Sequence, residues 1–285
     1  MTLRTSYRAA IRAALVVACA LLPALAHAVD GVIEINHARA LAGGVTPSDT
    51  AGYPVTLDAS GSYRLTGSLR PPAGTSGIVI SANYLTIDLN GFSIEGTAVC
   101  TGIPAANCTE HGGNGIDGFT VTGTTVRNGV VRGMDLGLML GDATVIEGVA
   151  AVSNFASGLN LGSYSRVEGA RLSGNGESGV LARSDSKVIR NEAHGNGGAG
   201  IATGERCIVS ENNVYRNAVG ILQFRPGMAE RNVVSSNGAE GIAISYPAVG
   251  QGPVRAAGNM LMGNGTDLGA GVTSTGTNSC TSGPC

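Results

Sequence analysis

A repeat of about twenty-one residues runs through the second half of the sequence. Asparagines recur at intervals of 21, 21, 21 and 20 residues, at Asn154, Asn175, Asn196, Asn217 and Asn237. A glycine and an aliphatic residue follow each asparagine three or four positions later, at Gly158-Leu159, Gly179-Val180, Gly200-Ile201, Gly220-Ile221 and Gly241-Ile242. Self-similarity at such a period is typical of a solenoid, in which one structural unit stacks on the next.

The composition suits a narrow stacked core. The chain has 45 Gly, no Trp and only 4% aromatic residues, so it lacks the bulky side chains of an ordinary layered domain. Short runs of β-branched residues between Gly, Asn and Ser turns exclude amphipathic helices of useful length. The sequence predicts an all-β, single-stranded right-handed parallel β-helix (a β-solenoid) with about 21 residues per coil, roughly 8–9 coils and a cap at each end.

The first 28 residues have the pattern of a secretory signal. Three arginines precede an apolar run over residues 13–26, and Ala-His-Ala then offers a cleavage site after Ala28. The run is shorter than the roughly 18 residues that a membrane helix needs, and no later segment reaches that length. We therefore expect export to the periplasm or the extracellular space, with no transmembrane segment. The lipobox-like sequence at 16–19 leaves open a lipoprotein anchored through Cys19.

The rest of the chain is expected to form one capped domain. Residues 29–75 are predicted as the N-terminal cap, with a short helix from Asn36 to Ala42. Residues 76–265 are predicted as the β-helix, interrupted by an insertion at about 96–114. Residues 266–285 form the predicted C-terminal tail or cap, because both ends of a stack must cover their strand edges.

The net charge argues against nucleic acid as a partner. Three of the 18 basic residues and none of the 20 acidic ones fall within residues 1–28, which leaves 15 against 20, or −5, after cleavage. A nucleic-acid-binding domain normally carries a basic surface, so no nucleic-acid partner is expected. The oligomeric state is left open.

Five cysteines follow residue 28. Export permits disulfides, and the close spacing favours Cys100–Cys108 and Cys280–Cys285. Cys207 is left over and is interpreted as a free thiol, buried or slightly exposed. Its spacing matches no zinc pattern, and no metal site is predicted.

Several longer strings resemble a known group of proteins. They are GVIEINHARALAGGVTP, GSYRLTGSL, LTIDLNGFSIEG, the VRNGVVRGM coil, and TNSC with the last cysteine. Together with the Cys100–Cys108 insertion, they resemble exported bacterial right-handed parallel β-helix repeat proteins of the wider pectin-lyase-like group. The resemblance covers essentially the whole chain after residue 28. It implies the fold and export, and it carries over no catalytic residue, since most members are uncharacterised.

Two series of polar residues recur at the repeat spacing and are expected to stack. The asparagines of the repeat and a second series are interpreted as structural ladders, the second being Asn128, Asn191, Asn212, Asn232 and Asn259. A charged row just before the second series is interpreted as solvated ion pairs, with Glu147 and Glu168 as its one repulsive step. Its members are Arg127, Glu147, Glu168, Arg190, Glu211 and Arg231.

The polar turn four to seven residues after each glycine provides the candidate binding face. This turn is the least regular part of the repeat, and loops on a rigid scaffold commonly carry recognition. Arginine, carboxylate and tyrosine side chains suit an extended acidic polysaccharide. The candidate residues are Tyr164, Arg183, Asp185, Glu205, Arg206, Arg225 and Tyr246, with Phe224 on the same face.

Catalytic patterns are incomplete. A calcium nonapeptide occurs once, at 112–119, without the tandem copy that such sites need. His194 lies in a weak His-Gly-Asn string, and the paired aspartates of glycoside hydrolases of this fold group are missing. Lyase chemistry would need a base near carboxylates that bind Ca²⁺, for which Asp185 beside Arg183 and Glu205 beside Arg206 are the local pairs.

Three functions remain as hypotheses. The first is a non-catalytic glycan-binding or surface-interaction module without a cofactor. The second is a polysaccharide lyase or another uronate-modifying enzyme, the one case in which Ca²⁺ is expected. The third is a structural or assembly protein of the periplasm. The catalytic residues of an enzyme are not identified by the sequence.

Overall fold

The computed structural model describes residues 31–245 and 253–285. The chain divides into a short unit, Met1–Val32, nearly all of which lies outside these ranges, and a long unit, Ile33–Cys285. The predicted signal and Cys19 therefore lie outside the described residues. No helix within the described ranges is long and apolar enough to cross a bilayer.

The smaller of the two main sheets has ten parallel strands, one from each coil. Register partners such as Leu159, Val180 and Ile201 stand one repeat of 21 residues apart, which confirms the predicted solenoid. The ten coils exceed the predicted 8–9, because strands near residues 55 and 266 also pair in the stack. The ten strands are Val55–Leu57, Ile78–Ile80, Ile116–Gly118, Leu138–Leu140, Leu159–Leu161, Val180–Ala182, Ala199–Thr203, Val219–Gln223, Glu240–Ile244 and Thr266–Leu268.

The larger sheet has nineteen strands in two rows, and most coils contribute to both rows. The first crossings, here the first row, are Ile33–Ile35, Gly61–Leu65, Leu85–Asp88, Thr125–Arg132, Val145–Val152, Arg166–Glu168, Lys187–Ile189, Ile208–Ser210, Met228–Glu230, Val254–Ala257 and Val272–Ser274. The second row comprises Ser93–Glu95, the second halves of Thr125–Arg132 and Val145–Val152, Arg171–Ser173, Glu192–His194, Asn213–Tyr215, Val233–Ser235, Met260–Met262, Ser279–Cys280 and the antiparallel Gly283–Pro284.

A short helix, His37–Ala42, lies at the N-terminal end of the stack. The Asn36 side chain caps it by accepting a hydrogen bond from the Arg39 amide at 2.9 Å, and Gly43 ends it with φ 73°. The helix therefore occupies the predicted position. Strand Ile33–Ile35 extends the larger sheet beside it.

The predicted insertion folds into a two-stranded hairpin, Cys100–Thr101 with Asn107–Cys108. His111 is buried at its base and accepts a hydrogen bond from the Thr97 amide at 3.1 Å through Nδ1. The Ala105 amide donates to the Gly195 carbonyl at 2.9 Å. The insertion thus lies along the corners of coils that follow it in sequence.

Inward-facing strand residues form one aliphatic column. Leu159, Leu161 and Leu172 are completely buried, as are their register partners in neighbouring coils. In the repeat, the glycine lies immediately before each strand of the smaller sheet or at its second position, because a side chain would not fit there. A Cβ at Gly179 would lie 2.5 Å from the Gly200 carbonyl oxygen. The glycine of the repeat therefore permits close contact between coils.

Two ladders of asparagine side chains connect the coils, as predicted for most of the residues. Within a ladder, an asparagine such as Asn175 donates its backbone amide and Nδ2 to Oδ1 of the next one, and its Nδ2 donates also to a backbone carbonyl. One ladder joins Asn154, Asn175, Asn196, Asn217, Asn237 and Asn264, and the other joins Asn191, Asn212, Asn232, Asn259 and Asn278. Buried polar groups at the corners that the ladders connect are thereby paired.

The assignment of Asn128 to the second ladder was wrong. Asn128 lies one position earlier, where Gly148, Gly169 and Arg190 stand in the following coils. Its φ is 58°, and its side chain donates to Asp88. The turn needs a residue that adopts the left-handed conformation, and asparagine meets that need without joining a ladder.

The charged row forms ion pairs from Glu168 to Arg231, although it occupies two positions of the coil rather than one. Arg127 pairs instead with Asp88, and Glu147 has no ion pair among the described residues. Glu147 and Glu168 are direct register partners, so the predicted repulsive step is present. Consecutive pairs join Arg166, Glu168, Arg190, Glu211, Arg231 and Glu230. These arginine side chains are about half exposed, and each such pair contributes under about 1 kcal/mol.

Candidate functional site

The predicted binding residues come together on consecutive turns between the smaller sheet and the first row. We call this surface, formed by Tyr164, Arg183, Asp185, Glu205 and Arg206, the turn strip. Tyr164, Asp185 and Arg206 occupy the same position of successive turns, with φ values of 60°, 60° and 56°. Backbone hydrogen bonds of 2.9 Å hold adjacent turns together, from the Tyr164 amide to the Ser184 carbonyl and from the Asp185 amide to the Glu205 carbonyl.

The two remaining candidates lie beyond these turns. Arg225 is exposed in the turn that follows strand Val219–Gln223, one coil further along. Tyr246 lies outside the described residues.

Three charged residues of the turn strip pair with one another. Arg206 donates to Asp185 from Nε at 2.8 Å and from Nη2 at 2.7 Å, and its Nη1 contacts Glu205. These hydrogen bonds from Arg206 hold the pKa of Asp185 below its usual range and raise the pKa of the guanidinium itself. Asp185 and Glu205 are thus bound to a cation and are poorly placed to act as a base.

A shallow depression lies beside the turn strip. It has a volume of about 450 Å³ and is lined by Phe119, Thr120, Val121, Thr122, Gly141, Asp142, Ser163 and Arg183. The Arg183 guanidinium carbon lies 5.0 Å from the centre of the Phe119 ring, within cation–π range. The depression thus joins an aromatic face, a guanidinium and hydroxyl groups on one rigid surface.

The loop after strand Ile116–Gly118 forms one wall of this depression. It has six residues before the next strand, where the following turns have four. The loop covers Gly141, at which a Cβ would lie 2.0 Å from the Val121 carbonyl oxygen. Sequence reasoning missed Phe119 as a site residue. The signal available in the sequence was the longer segment between the two strands that flank Phe119. The extra length lets the Phe119 ring lie over later coils.

The ring of the turn strip and the ring that lines the depression differ in exposure. Tyr164 is 67% exposed and Phe119 is 36% exposed. Asp142 accepts a hydrogen bond from the Ser163 amide at 2.8 Å, which fixes the turn between them. Flat, exposed rings on a fixed backbone offer contact area at little cost in conformational entropy.

Metal ligands do not converge in the described ranges. No three His, Cys, Asp or Glu side chains of residues 31–245 and 253–285 are placed to hold one ion. The expectation of Ca²⁺ stays a prediction attached to the lyase hypothesis alone.

Both predicted disulfides are present, Cys100–Cys108 and Cys280–Cys285. Two disulfides indicate an oxidising compartment outside the cytoplasm. Cys207 is a buried free thiol, and burial raises its pKa. Its Sγ lies 3.1 Å from the Arg183 carbonyl, in the turn position that Ser165 and Ser186 occupy in earlier coils.

Comparison with solved structures supports the architecture. The Dettilon tailspike protein matches with a TM-score of 0.52 at 15% identity, over 80% of this chain and 53% of that one. This chain therefore spans about half the length of the tailspike chain. The A-module of mannuronan C-5 epimerase AlgE6 from Azotobacter vinelandii matches with a TM-score of 0.46 at 17% identity, over 86% and 77% of the two chains. At 15% identity, the tailspike match shows the fold alone.

Sequence comparison identifies the family. A search against curated proteins finds no match. The pattern that defines the family "Right handed beta helix region" matches residues 73–282, which is well over half of the sequence. That match agrees with ten coils of parallel strands and two asparagine ladders. The chain belongs to the right-handed beta helix region family.

Proposed function

We propose that this protein is an exported, non-catalytic glycan-binding module whose binding surface is the turn strip with its adjoining depression. The observation that carries the proposal is the Arg183 guanidinium held 5.0 Å over the Phe119 ring at the edge of that depression. Export is supported by the signal pattern of residues 1–28 and by the two disulfides.

The contacts of Arg183 favour an acidic polysaccharide. Within the described ranges Arg183 forms no ion pair, whereas Arg206 is occupied by two carboxylates. Its planar fork can therefore take a sugar carboxylate, while the Phe119 and Tyr164 rings contact sugar faces. Successive turns are about 4.8 Å apart, so an extended chain along the coils meets several turns in sequence.

A binding measurement tests the proposal. Uronate oligosaccharides and neutral oligosaccharides of equal length are titrated by calorimetry into the wild type and into Arg183→Ala and Phe119→Ala. We expect binding of the acidic series and at least tenfold weaker affinity in both variants, a loss of about 1.4 kcal/mol or more. Arg64→Ala is the matched control, because Arg64 is an exposed arginine on the first coil that forms no ion pair with any described residue.

The outcomes separate the three hypotheses. Equal affinity of wild type and both variants would place binding elsewhere and overturn the proposal. Release of unsaturated uronate products, seen as new ultraviolet absorbance, would favour the lyase hypothesis and contradict a non-catalytic module. The absence of binding to any acidic or neutral glycan would leave the structural or assembly role as the remaining hypothesis.

A further inference from the structure

A second cluster of polar and aromatic side chains lies on the outer face of the second row, away from the turn strip. Ser173, His194 and Tyr215 are successive register partners there. The His194 and Tyr215 rings stack with centroids 4.8 Å apart and an interplanar angle of 7°. The Tyr215 hydroxyl donates to Glu192 Oε1 at 2.7 Å, which fixes the ring pair in one orientation.

The insertion forms a wall opposite this cluster. Ile103, which is 72% exposed, faces a space of about 150 Å³ that is also lined by Gly102, Val152, Ser153, Ser173, Gly174, His194 and Gly195. The hydrogen bond from the Ala105 amide to the Gly195 carbonyl, at 2.9 Å, holds the wall in place. The space therefore has one apolar side, one imidazole side and two serine hydroxyls.

The cluster carries uncompensated positive charge. Arg171 is exposed two positions before Ser173, Arg216 is exposed directly after Tyr215, and neither forms an ion pair within residues 31–245 and 253–285. Six other arginines of the larger sheet and its corners do have acidic partners, namely Arg70, Arg127, Arg132, Arg166, Arg190 and Arg231. Glu192 offsets one of the two charges, which leaves the cluster attractive to a single anion.

The histidine adds a neutral surface rather than a third cation. Burial lowers the pKa of His194 below its usual value, and the two arginines act in the same direction against the opposing effect of Glu192. The imidazole is therefore uncharged at neutral pH, and its face can contact an apolar ring surface.

We propose that this groove binds one carboxylated sugar residue, whose ring contacts Ile103 and the His194–Tyr215 pair and whose carboxylate is held by Arg171 and Arg216. A space of about 150 Å³ is half the lower bound of ordinary small-molecule sites, about 300 Å³, and so accommodates one ring rather than a chain. The serine hydroxyls supply the hydrogen bonds that distinguish a sugar from a simple carboxylate. This site shares no residue with the turn strip.

The test uses glucuronate as the probe, with glucose and acetate as the neutral and the sugar-free comparisons. Binding is followed by NMR through the carbon-bound imidazole protons of His194. The chain has only four histidines, so few such signals must be told apart. We expect saturable shifts with glucuronate, and at least tenfold weaker affinity for glucose, for acetate, and for glucuronate in the double variant Arg171→Ala/Arg216→Ala. Arg255 is an exposed arginine of the same sheet that has no ion pair among the residues the structure describes, so Arg255→Ala should leave the affinity within twofold.

Three results would overturn the inference. They are unchanged affinity in the double variant, an equal loss in Arg255→Ala, and acetate binding as tightly as glucuronate. Circular dichroism of the variants should match that of the wild type, because the replaced side chains are exposed. Arg183→Ala and Phe119→Ala must leave glucuronate binding intact, so this inference and the function proposed for the turn strip can fail separately.

Discussion

Asn175 accepts two hydrogen bonds from Asn154, the residue 21 positions earlier, through its single Oδ1 atom. The Asn154 backbone amide donates at 3.1 Å and its Nδ2 donates at 2.8 Å. Both side chains are completely buried, so no water replaces a lost partner. The same contact repeats along each ladder and fixes the register of one coil on the next, which positions every turn of the proposed binding surface.

Replacing an interior member of the ladder should therefore destabilise the fold. Asn196→Ala removes the acceptor of the Asn175 amide and Nδ2, and it removes the bonds to Leu172 and Asn217. Buried polar groups left unpaired cost about 1–3 kcal/mol each, so we expect a loss of about 2–5 kcal/mol in unfolding by guanidinium chloride. Asn213→Ala is the control, because Asn213 is exposed on the same coil. Equal effects of the two substitutions would contradict the ladder's role.

The close contact at the repeat glycine predicts a second stability effect. In Gly179→Ala the new methyl group would lie 2.5 Å from the Gly200 carbonyl oxygen and 3.0 Å from Asn196 Nδ2. Because backbone must move to relieve that contact, we expect a loss of about 1–3 kcal/mol. At Gly238 the nearest atom is 3.5 Å away, so Gly238→Ala should retain the wild-type melting temperature. If Gly179→Ala were as stable as the wild type, the coils could separate locally without a loss of stability.

Cys207 should behave as a substitute for serine. It follows Ser165 and Ser186 in the buried turn position, where its Sγ lies 3.4 Å from the Ser186 amide. Cys207→Ser should therefore change unfolding free energy by less than about 1 kcal/mol. In the folded protein, burial and the raised pKa should keep the thiol unreactive toward aromatic disulfide reagents. In the protein cleaved after Ala28, one thiol should react after denaturation, and rapid reaction of the folded protein would refute the burial of Cys207.

Glu95 should make stability depend on pH in the acid range. Hydrogen bonds from Ser93, Arg70 and Arg132 lower the pKa of Glu95 from 4.5 to about 2. The folded state therefore binds fewer protons than the unfolded state between these values, and stability is lost as the pH falls from 4.5 toward 2. Glu95→Gln should be less stable than wild type at pH 7 and equal to it below pH 2. A difference that persists unchanged at pH 2 would show that charge is not its source.

The sequence predicted the architecture because one repeat along the chain corresponds to one coil along the stack. In a solenoid, residues one repeat apart are spatial neighbours, so the asparagine spacing alone identified the ladder of Asn154, Asn175 and Asn196. The same logic placed Tyr164, Asp185 and Arg206 on one face. The short spacing of Cys100 and Cys108 and of Cys280 and Cys285 identified the disulfides in the same local way.

Contacts made by segments outside the regular repeat could not be predicted from the sequence. The Phe119 ring reaches Arg183 because its loop is longer than the other turns, and spacing cannot show where such a loop folds. The contact of the insertion with Gly195 is set by its own hairpin. Asn128 was misplaced by one residue, since two adjacent turn positions both favour asparagine. Whether Arg206 pairs with Asp185 or with a ligand depends on rotamers, which periodicity does not determine.

The most direct test of the proposed binding surface is to map backbone amide shifts by NMR while an oligogalacturonate is added to the mature protein. The account expects the largest changes at saturation in the loop 119–123, at Asp142 and Ser163, and across the turn 183–185. If the oligosaccharide binds but the shifts at those positions stay unchanged, the proposed binding surface is contradicted.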